Sequence, residues 1–228
     1  MLPLEKLLCY QRVGKRVLSS DGSSVIDTNR KPRRYAHDLG YVTEENLIEA
    51  ITNKVVCDVS SGYGTLYKYL ALRGIQTNIV PVNPRVQLEN YKDGNSLLMD
   101  FDFPDYPVEE VRRVHRLHNE SVVAAFAHKL PFANNSFDLV FDNAAVSFYS
   151  QEEDECVYED SLLEMLRILR PGGEIRIGDW IHYGGGSSGE ETFPSSQENI
   201  LKRLNIRYEY IQEPRGKKRE IIGVIIYK

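Results

Sequence analysis

A short segment with two glycines is the strongest candidate for chemistry in this sequence. Residues 55–59 read Val-Val-Cys-Asp-Val, and Ser-Ser-Gly-Tyr-Gly follows at residues 60–64. A β-branched run that ends near an acid and leads through a glycine turn into a helix is typical of the start of an α/β fold. Because Gly62 and Gly64 lack a Cβ, a ligand can lie against their backbone and face the free N–H groups of the helix. The segment predicts a ligand-binding turn, although two glycines can also serve a tight bend alone.

The spacing of histidines and cysteines gives little support for metal chemistry. His115 and His118 lie one helical turn apart, but no third ligand is identifiable, so we predict no metal site. The three cysteines, Cys9, Cys57 and Cys156, are odd in number, far apart and without CxxC spacing. This pattern argues against a disulfide framework or a structural zinc. A reducing cytosol fits it best, and we expect a cytoplasmic protein.

Composition limits the class of protein and its partners. The chain has 228 residues with 42% hydrophobic content, enough for one sizeable core, and a formal net charge of −5. That charge leaves no general basic field for nucleic acid, although residues 30–34 and 215–219 are local basic clusters. The sequence has no apolar run of about 18 residues, as a membrane span would need. We expect neither a nucleic-acid nor a membrane partner, and the oligomeric state stays open.

Apolar runs bounded by turn residues predict seven strands. They lie at residues 54–59, 77–82, 121–126, 137–142, 174–180, 207–213 and 219–227. Because helix-period segments alternate with the first five, the predicted fold class is α/β with a doubly wound, mostly parallel sheet. The last two strands are typical of an antiparallel hairpin. We predict a helical or irregular extension at residues 1–50, packed on a main domain at residues 51–228.

Local signals place the helices and two long loops. Thr43, which acids follow, predicts a helix N-cap, and Pro84 predicts the first position of a helix that runs to about Tyr91. Further helices are predicted at residues 65–74, 108–118, 160–169 and 197–204. Two long loops, at residues 93–107 and 182–194, are expected to flank the mouth of a pocket.

Three stretches of the sequence match a known pattern in their order and spacing. They are residues 56–64, residues 130–140 with Leu-Pro-Phe and Ser-Phe-Asp-Leu-Val, and residues 163–173, which end in Arg-Pro-Gly-Gly. With the closing hairpin, they resemble the class I S-adenosylmethionine-dependent methyltransferases of the small-molecule type, over roughly residues 50–228. The resemblance implies a Rossmann-like seven-stranded sheet with S-adenosylmethionine across the carboxyl ends of its first strands. It also implies methyl transfer to N, O or C of a small molecule.

The resemblance implies a set of cofactor-binding residues as well. They lie at or just after the carboxyl ends of the predicted strands: Asp58, Ser60, Gly62, Gly64, Asn83, Phe126, His128 and Asp142. Asp58 is expected to order the glycine turn or to contact the cofactor through water, and also to cap the helix that follows. A hydroxyl group that accepts the methyl would also need a general base, and no residue is identifiable as one from the sequence.

Several positions depart from the family's usual pattern. Ser60 replaces the first glycine of the turn, and Pro81 stands where a carboxylate usually accepts hydrogen bonds from the ribose hydroxyls. Asn83 offers one neutral acceptor instead, which makes a weaker bond than a charge-assisted one. At the usual adenine position, only His128 can bond and Phe126 can only stack. We therefore expect S-adenosylmethionine binding to be weak or lost.

These departures leave two functional interpretations. The leading one is an S-adenosylmethionine-dependent methyltransferase that acts on an unidentified small molecule. The alternative is a catalytically inactive, methyltransferase-like binding or regulatory protein. A nicotinamide dehydrogenase is a poorer third choice, because residues 60–64 do not fit GxGxxG and no acid ends the second strand.

Overall fold

The computed structural model describes residues 32–59, 61, 64–83, 106–143, 155–178, 195–215 and 218–228. Six helices and six strands lie within these residues. The helices are α1 (Pro32–Asp38), α2 (Glu44–Ile51), α3 (Thr65–Leu72), α4 (Val108–Ser121), α5 (Glu155–Ile168) and α6 (Ser195–Arg203). The strands are β1 (Val55–Asp58), β2 (Asn78–Pro81), β3 (Phe137–Asn143), β4 (Leu169–Gly178), β5 (Arg207–Arg215) and β6 (Lys218–Tyr227).

The strands form one sheet in the order β2-β1-β3-β4-β6-β5. The pairs β2–β1, β1–β3 and β3–β4 are parallel, whereas β6 is antiparallel to both β4 and β5. The predicted class is therefore confirmed: a mostly parallel α/β sheet with a C-terminal antiparallel hairpin. The carboxyl ends of β1, β2, β3 and β4 meet at one edge of the sheet, where an open α/β sheet binds its ligands.

The predicted strand at residues 121–126 is wrong. Helix α4 continues to Ser121, and the chain then pairs with the end of β2 through an isolated parallel bridge between Val123 and Val82. Phe126 forms a local antiparallel bridge with Lys129. Two backbone bonds accompany the parallel bridge, from Val123 N to Pro81 O at 2.8 Å and from Asn83 N to Val123 O at 3.0 Å. A tight turn, closed by Lys129 N to Phe126 O at 3.0 Å, ends the extended segment before a ladder can form. The described part of the sheet therefore has six strands.

The other boundaries are mostly within two residues of those predicted. The clearest differences are at α5, which starts at Glu155 instead of residue 160, and at β4, which starts at Leu169 directly after α5 instead of at residue 174. A register shift between Phe137 and Leu139 accommodates the early start of β4, and Gly172 adopts φ 80°. The predicted N-cap is confirmed, since Thr43 Oγ1 accepts a hydrogen bond from Asn46 N at 3.2 Å. The predicted helix at residues 84–91 and most of both pocket loops fall outside the described residues.

Helices cover both faces of the sheet. On one face, residues of α1, α2 and α3 form a buried cluster with Val56, Leu139 and Phe141. On the other, α5 and α6 pack against Cys57, Val140 and Ile175. The two sets alternate along β1 and β3 because successive side chains of a strand point to opposite faces. Among the described helices, none combines the length and apolarity that crossing a bilayer requires.

Candidate active site

Buried polar side chains gather at the carboxyl edge of the sheet. Each of the following is less than a tenth exposed: Asp58, Ser61, Thr65, Lys68, Asn83, His118, Asp142 and Asn143. Burying a polar group costs free energy unless it is hydrogen-bonded, so such a concentration is unusual in a purely structural region. Clusters of buried, charge-bearing residues in one place are typical of functional sites.

Asp58 ends β1 at the centre of this edge. Its neighbours in the sheet are Pro81 of β2 and Phe141 of β3. The carboxylate is 1% exposed, and Oδ1 accepts a hydrogen bond from the Tyr35 hydroxyl at 2.8 Å. A contact between Asp58 and the cofactor stays a prediction. The sequence held no local signal for Tyr35, because its partner lies 23 residues further along the chain.

The turn after β1 is tied to the end of β2. The backbone N and the Oγ of Ser61 both donate to Val82 O, at 3.3 Å and 3.0 Å. Gly64 N donates to Ser61 O at 2.6 Å, which closes the turn before α3 begins. The predicted cofactor contacts Ser60 and Gly62 lie outside the described residues.

Gly64 has a structural reason to be glycine. It adopts φ +73°, and an ideal Cβ built on it would lie 2.1 Å from the imidazole ring of His118. His118 comes from α4, is fully buried, and also contacts the ring of Tyr67 at a centroid distance of 5.6 Å. The imidazole therefore takes the space where a side chain at residue 64 would lie, and His118 has a packing role. A contact between the Gly64 backbone and the cofactor stays a prediction.

Asn83 follows β2 at the same edge as Asp58. The two chain segments are joined by a bond from Val82 N to Asp58 O at 2.8 Å. Asn83 is 5% exposed, and Pro81, where the family usually has a carboxylate, pairs with Asp58 in the sheet. Among the described residues, Asn83 is thus the polar side chain that directly follows β2.

Phe126 and His128 form a flat aromatic surface. Their rings stack at a centroid distance of 5.5 Å with 18° between the planes, and both are partly exposed. The segment that follows them is held by α5, since Glu164 accepts from Leu130 N at 3.0 Å and Arg167 donates to Leu130 O at 2.9 Å. Hydrogen bonds from Arg167 lower the pKa of Glu164, so this anchor is charged at neutral pH.

Asp142 and Asn143 are the last two residues of β3, one and two positions beyond the residue that pairs with Asp58. Asp142 is fully buried. Burial and the charge of Asp142 together raise the pKa of Tyr158 in α5, so this phenol stays neutral. Asn143 Oδ1 would lie 3.0 Å from a Cβ at Gly178 of β4. These contacts place the two residues on opposite faces of β3.

The structure thus brings Asp58, Gly64, Asn83 and Asp142 together at the carboxyl edge, and it stacks Phe126 on His128 in the segment that follows the Val82–Val123 bridge. Within the described segments, no three His, Cys, Asp or Glu side chains form a group that could hold a metal ion. The absence of a metal from the protein as a whole stays a prediction.

Comparison with known proteins identifies a family and solved structures of similar fold. A methyltransferase domain family matches residues 57–177, which is more than half of the chain. The structure resembles 1,6-didemethyltoxoflavin-N1-methyltransferase from Burkholderia thailandensis, solved with bound 1,6-didemethyltoxoflavin and S-adenosylhomocysteine. The identity is 17%, the match covers 99% of this chain and 89% of that one, and the TM-score is 0.55. At this identity the likeness shows the fold alone.

A second solved structure, a SAM-dependent methyltransferase from Aquifex aeolicus, is 19% identical over 80% of this chain and 87% of that one, with a TM-score of 0.46. A comparison with curated protein sequences finds no match. The family match spans the glycine turn, both aromatic residues of the stacked pair and the end of β3. The chain therefore belongs to the methyltransferase domain family, and its fold is that of the class I S-adenosylmethionine-dependent methyltransferases.

Proposed function

We propose that this protein transfers the methyl group of S-adenosylmethionine to a small-molecule acceptor at the carboxyl edge of the sheet. The observation that carries the proposal is the placement of two buried acceptors, Asp58 and Asn83, at the ends of neighbouring parallel strands. The glycine turn and the stacked pair of Phe126 and His128 complete the same site. This is the position at which open α/β sheets bind nucleotide-like ligands.

The chemistry of these residues fits the cofactor. Carboxylate and amide oxygens accept hydrogen bonds, which suits the ribose hydroxyls and the amino group of S-adenosylmethionine. A flat aromatic pair offers a surface on which adenine can stack. When bound, S-adenosylmethionine supplies a methyl group attached to a positively charged sulfur. The residues of this chain hold donor and acceptor in line, and such positioning supplies much of the rate in a displacement reaction.

The ribose contact explains why we expect weak binding. Pro81 offers no side-chain acceptor, so the ribose relies on Asn83 or on water instead of a carboxylate. The loss of a charged acceptor costs about 1.5–3 kcal/mol, or roughly one to two decades in affinity. The remaining proposed contacts are Asp58, Ser60, Gly62, Gly64 and Asp142.

A small molecule is the acceptor class that we propose. The negative net charge offers no general field for a nucleic-acid substrate. The Burkholderia thailandensis enzyme, which this fold resembles, was solved with a small molecule bound. The inactive alternative is not favoured, because the family match includes the glycine turn. We also place the protein in the cytoplasm, on the basis of its few, widely spaced cysteines.

Calorimetric titration of the full chain with S-adenosylhomocysteine tests the cofactor site without knowledge of the acceptor. We expect measurable binding below millimolar concentration. Gly62→Val should abolish it by filling the space that the ligand needs. Pro81→Asp should tighten it about tenfold, because a charged acceptor is restored.

Val42→Ser is the control, since Val42 is 89% exposed and lies outside the proposed site. Its titration should match that of the unmodified protein. If the unmodified protein gives no heat at millimolar ligand, or if Gly62→Val leaves binding unchanged, the proposed site is wrong.

A further inference from the structure

Helix α1 lies directly on the carboxyl edge of the sheet. The carbonyl oxygen of Asp38, the last residue of α1, would lie 2.6 Å from a Cβ at Gly178 of β4 and 3.3 Å from one at Gly223 of β6. A side chain at Gly178 would therefore push the helix away. Ala36 and Leu39 are fully buried in the same cluster as Phe141 of β3. Residues 32–41 thus pack closely against three strands.

Several polar contacts hold this segment in one place. Arg176 of β4 donates from Nη1 to Leu39 O at 2.8 Å, and its guanidinium lies 4.2 Å from the ring centroid of Tyr41. Arg34 and Asp38 form an ion pair within α1 at 2.7 Å. Because the end of α1 and the residues that follow it are held against β4, Tyr35, one helical turn before Leu39, has a defined position relative to the strands.

Tyr35 uses this position to reach a fourth strand. Its hydroxyl donates to Asp58 Oδ1 at 2.8 Å, and both side chains are buried. A hydrogen bond to a carboxylate is shorter and stronger than one between neutral groups, and burial strengthens it further. The bond restricts the rotamer of Asp58 at the point where β1 enters the glycine turn.

We propose that Tyr35 is a positioning residue of the cofactor site, which orients the Asp58 carboxylate for the ligand. The inference rests on the proposed function, because it assumes that Asp58 serves cofactor binding. It extends the site to a segment upstream of the family match, which begins at residue 57. Helix α1 (Pro32–Asp38) then belongs to the functional core of the protein and is more than a surface extension.

A double-mutant cycle, measured by calorimetric titration with S-adenosylhomocysteine, tests this role. Tyr35→Phe removes only the hydroxyl, and we expect it to weaken binding about fivefold to tenfold. In an Asp58→Ala background, Tyr35→Phe should weaken S-adenosylhomocysteine binding less than twofold, because the partner of the hydroxyl is gone. A merely structural role predicts the same loss in both backgrounds.

Tyr41→Phe is the matched control. Tyr41 is also buried beside α1, and its hydroxyl has no hydrogen-bond partner among the described residues. The Tyr41→Phe variant should bind S-adenosylhomocysteine with the same affinity as the unmodified protein. If Asp58→Ala does not fold, Asp58→Asn replaces it, and Tyr35→Phe should then cost less than it does in the unmodified protein, because a neutral oxygen makes a weaker bond.

The outcomes separate the two proposals. If the unmodified protein binds but Tyr35→Phe and Tyr41→Phe titrate alike, the positioning role is wrong and the proposed function stands. Equal losses in both Asp58 backgrounds also overturn the positioning role. If the unmodified protein gives no heat at millimolar S-adenosylhomocysteine, the proposed function fails first and the positioning role fails with it.

Discussion

The two edges of the sheet differ in how they use polar residues. At the carboxyl edge, side chains such as Asp58, Asn83 and Asp142 are buried. At the opposite edge, Asp138 accepts hydrogen bonds from Val55 N and Arg170 Nη1 at 2.8 Å and 2.7 Å, and remains partly exposed. The Lys228 ammonium caps carbonyl groups around the end of α5 at this same edge.

In our proposal, the carboxyl edge binds the cofactor and the opposite edge stabilises the fold. Exposed ion pairs contribute little to the free energy of folding and need no ligand. The opposite edge is therefore explained by its structural role alone, in which Asp138 forms a clamp that joins β3 to β1 and β4. Buried polar groups are costly unless they are hydrogen-bonded, and the cofactor site that we propose lies where they are concentrated, at the carboxyl edge. Substitutions at the opposite edge should therefore change the free energy of unfolding and leave cofactor affinity unchanged.

The largest effect is expected at Gly64, where a small change tests how tightly the carboxyl edge is packed. Gly64→Ala places a methyl group 2.1 Å from the His118 ring in a residue with φ +73°. We expect a loss of at least about 3 kcal/mol in the free energy of unfolding, measured with urea.

Gly74→Ala is the control for backbone strain alone. Gly74 has a similar φ of +69°, and an added Cβ would meet nothing within 4 Å. Gly74→Ala should lower the free energy of unfolding by about 1 kcal/mol. Adding His118→Ala to Gly64→Ala should not restore full stability, but it should recover the part due to the clash. Equal losses for Gly64→Ala and Gly74→Ala would contradict the packing role of His118.

An intermediate effect is expected at Arg167, which anchors the segment after the stacked aromatic pair. Its guanidinium donates to the carbonyls of Leu130 and Phe132 at 2.9 Å and 2.7 Å, and to both carboxylate oxygens of Glu164. Arg167→Met should lower the free energy of unfolding by about 2 kcal/mol, since each charged hydrogen bond contributes but the site is partly exposed.

Arg112→Met is the comparison for Arg167→Met, because Arg112 is exposed and its ion pair with Glu109 spans 3.2 Å on the surface of α4. Arg112→Met should change the free energy of unfolding, measured with urea, by less than about 0.5 kcal/mol. If the two arginine variants lose equal stability, the Arg167 network contributes nothing beyond a surface pair.

The smallest effect is a pH dependence at the opposite edge. The hydrogen bond from Val55 N and the nearby Arg170 hold the pKa of Asp138 below its ordinary value. A lowered folded-state pKa adds stability above the unfolded pKa of about 3.9, and this stability is lost as pH falls through the lower folded value. Asp138→Asn should therefore be less stable than the unmodified protein by about 0.5–1 kcal/mol at pH 7, discounted for exposure.

Urea unfolding at several pH values checks the sign of this effect. The stability gap between Asp138→Asn and the unmodified protein should narrow as pH falls below about 5, because the carboxylate of the unfolded chain takes up a proton before the native one does. S-adenosylhomocysteine affinity at pH 7 should be the same for both proteins. A gap that stays constant with pH would show that the charge of Asp138 is not what stabilises the clamp.

Local patterns in the sequence determined much of this fold. The β-branched runs, the N-cap at Thr43 and the closing hairpin were all predictable, because each depends on residues close together in the chain. The order of the glycine turn and the later strands also predicted the family. These signals hold because secondary structure and turn chemistry are set mainly by neighbouring residues.

The tertiary structure decided the features that join distant segments. The segment at residues 122–126 has the composition of a strand, but an early turn at Phe126 leaves one bridge at Val123. The imidazole of His118 fills the space beside Gly64, and the hydroxyl of Tyr35 reaches Asp58. No local pattern encodes such contacts, because each depends on how separate helices pack on the sheet and bring side chains far apart in sequence within bonding distance.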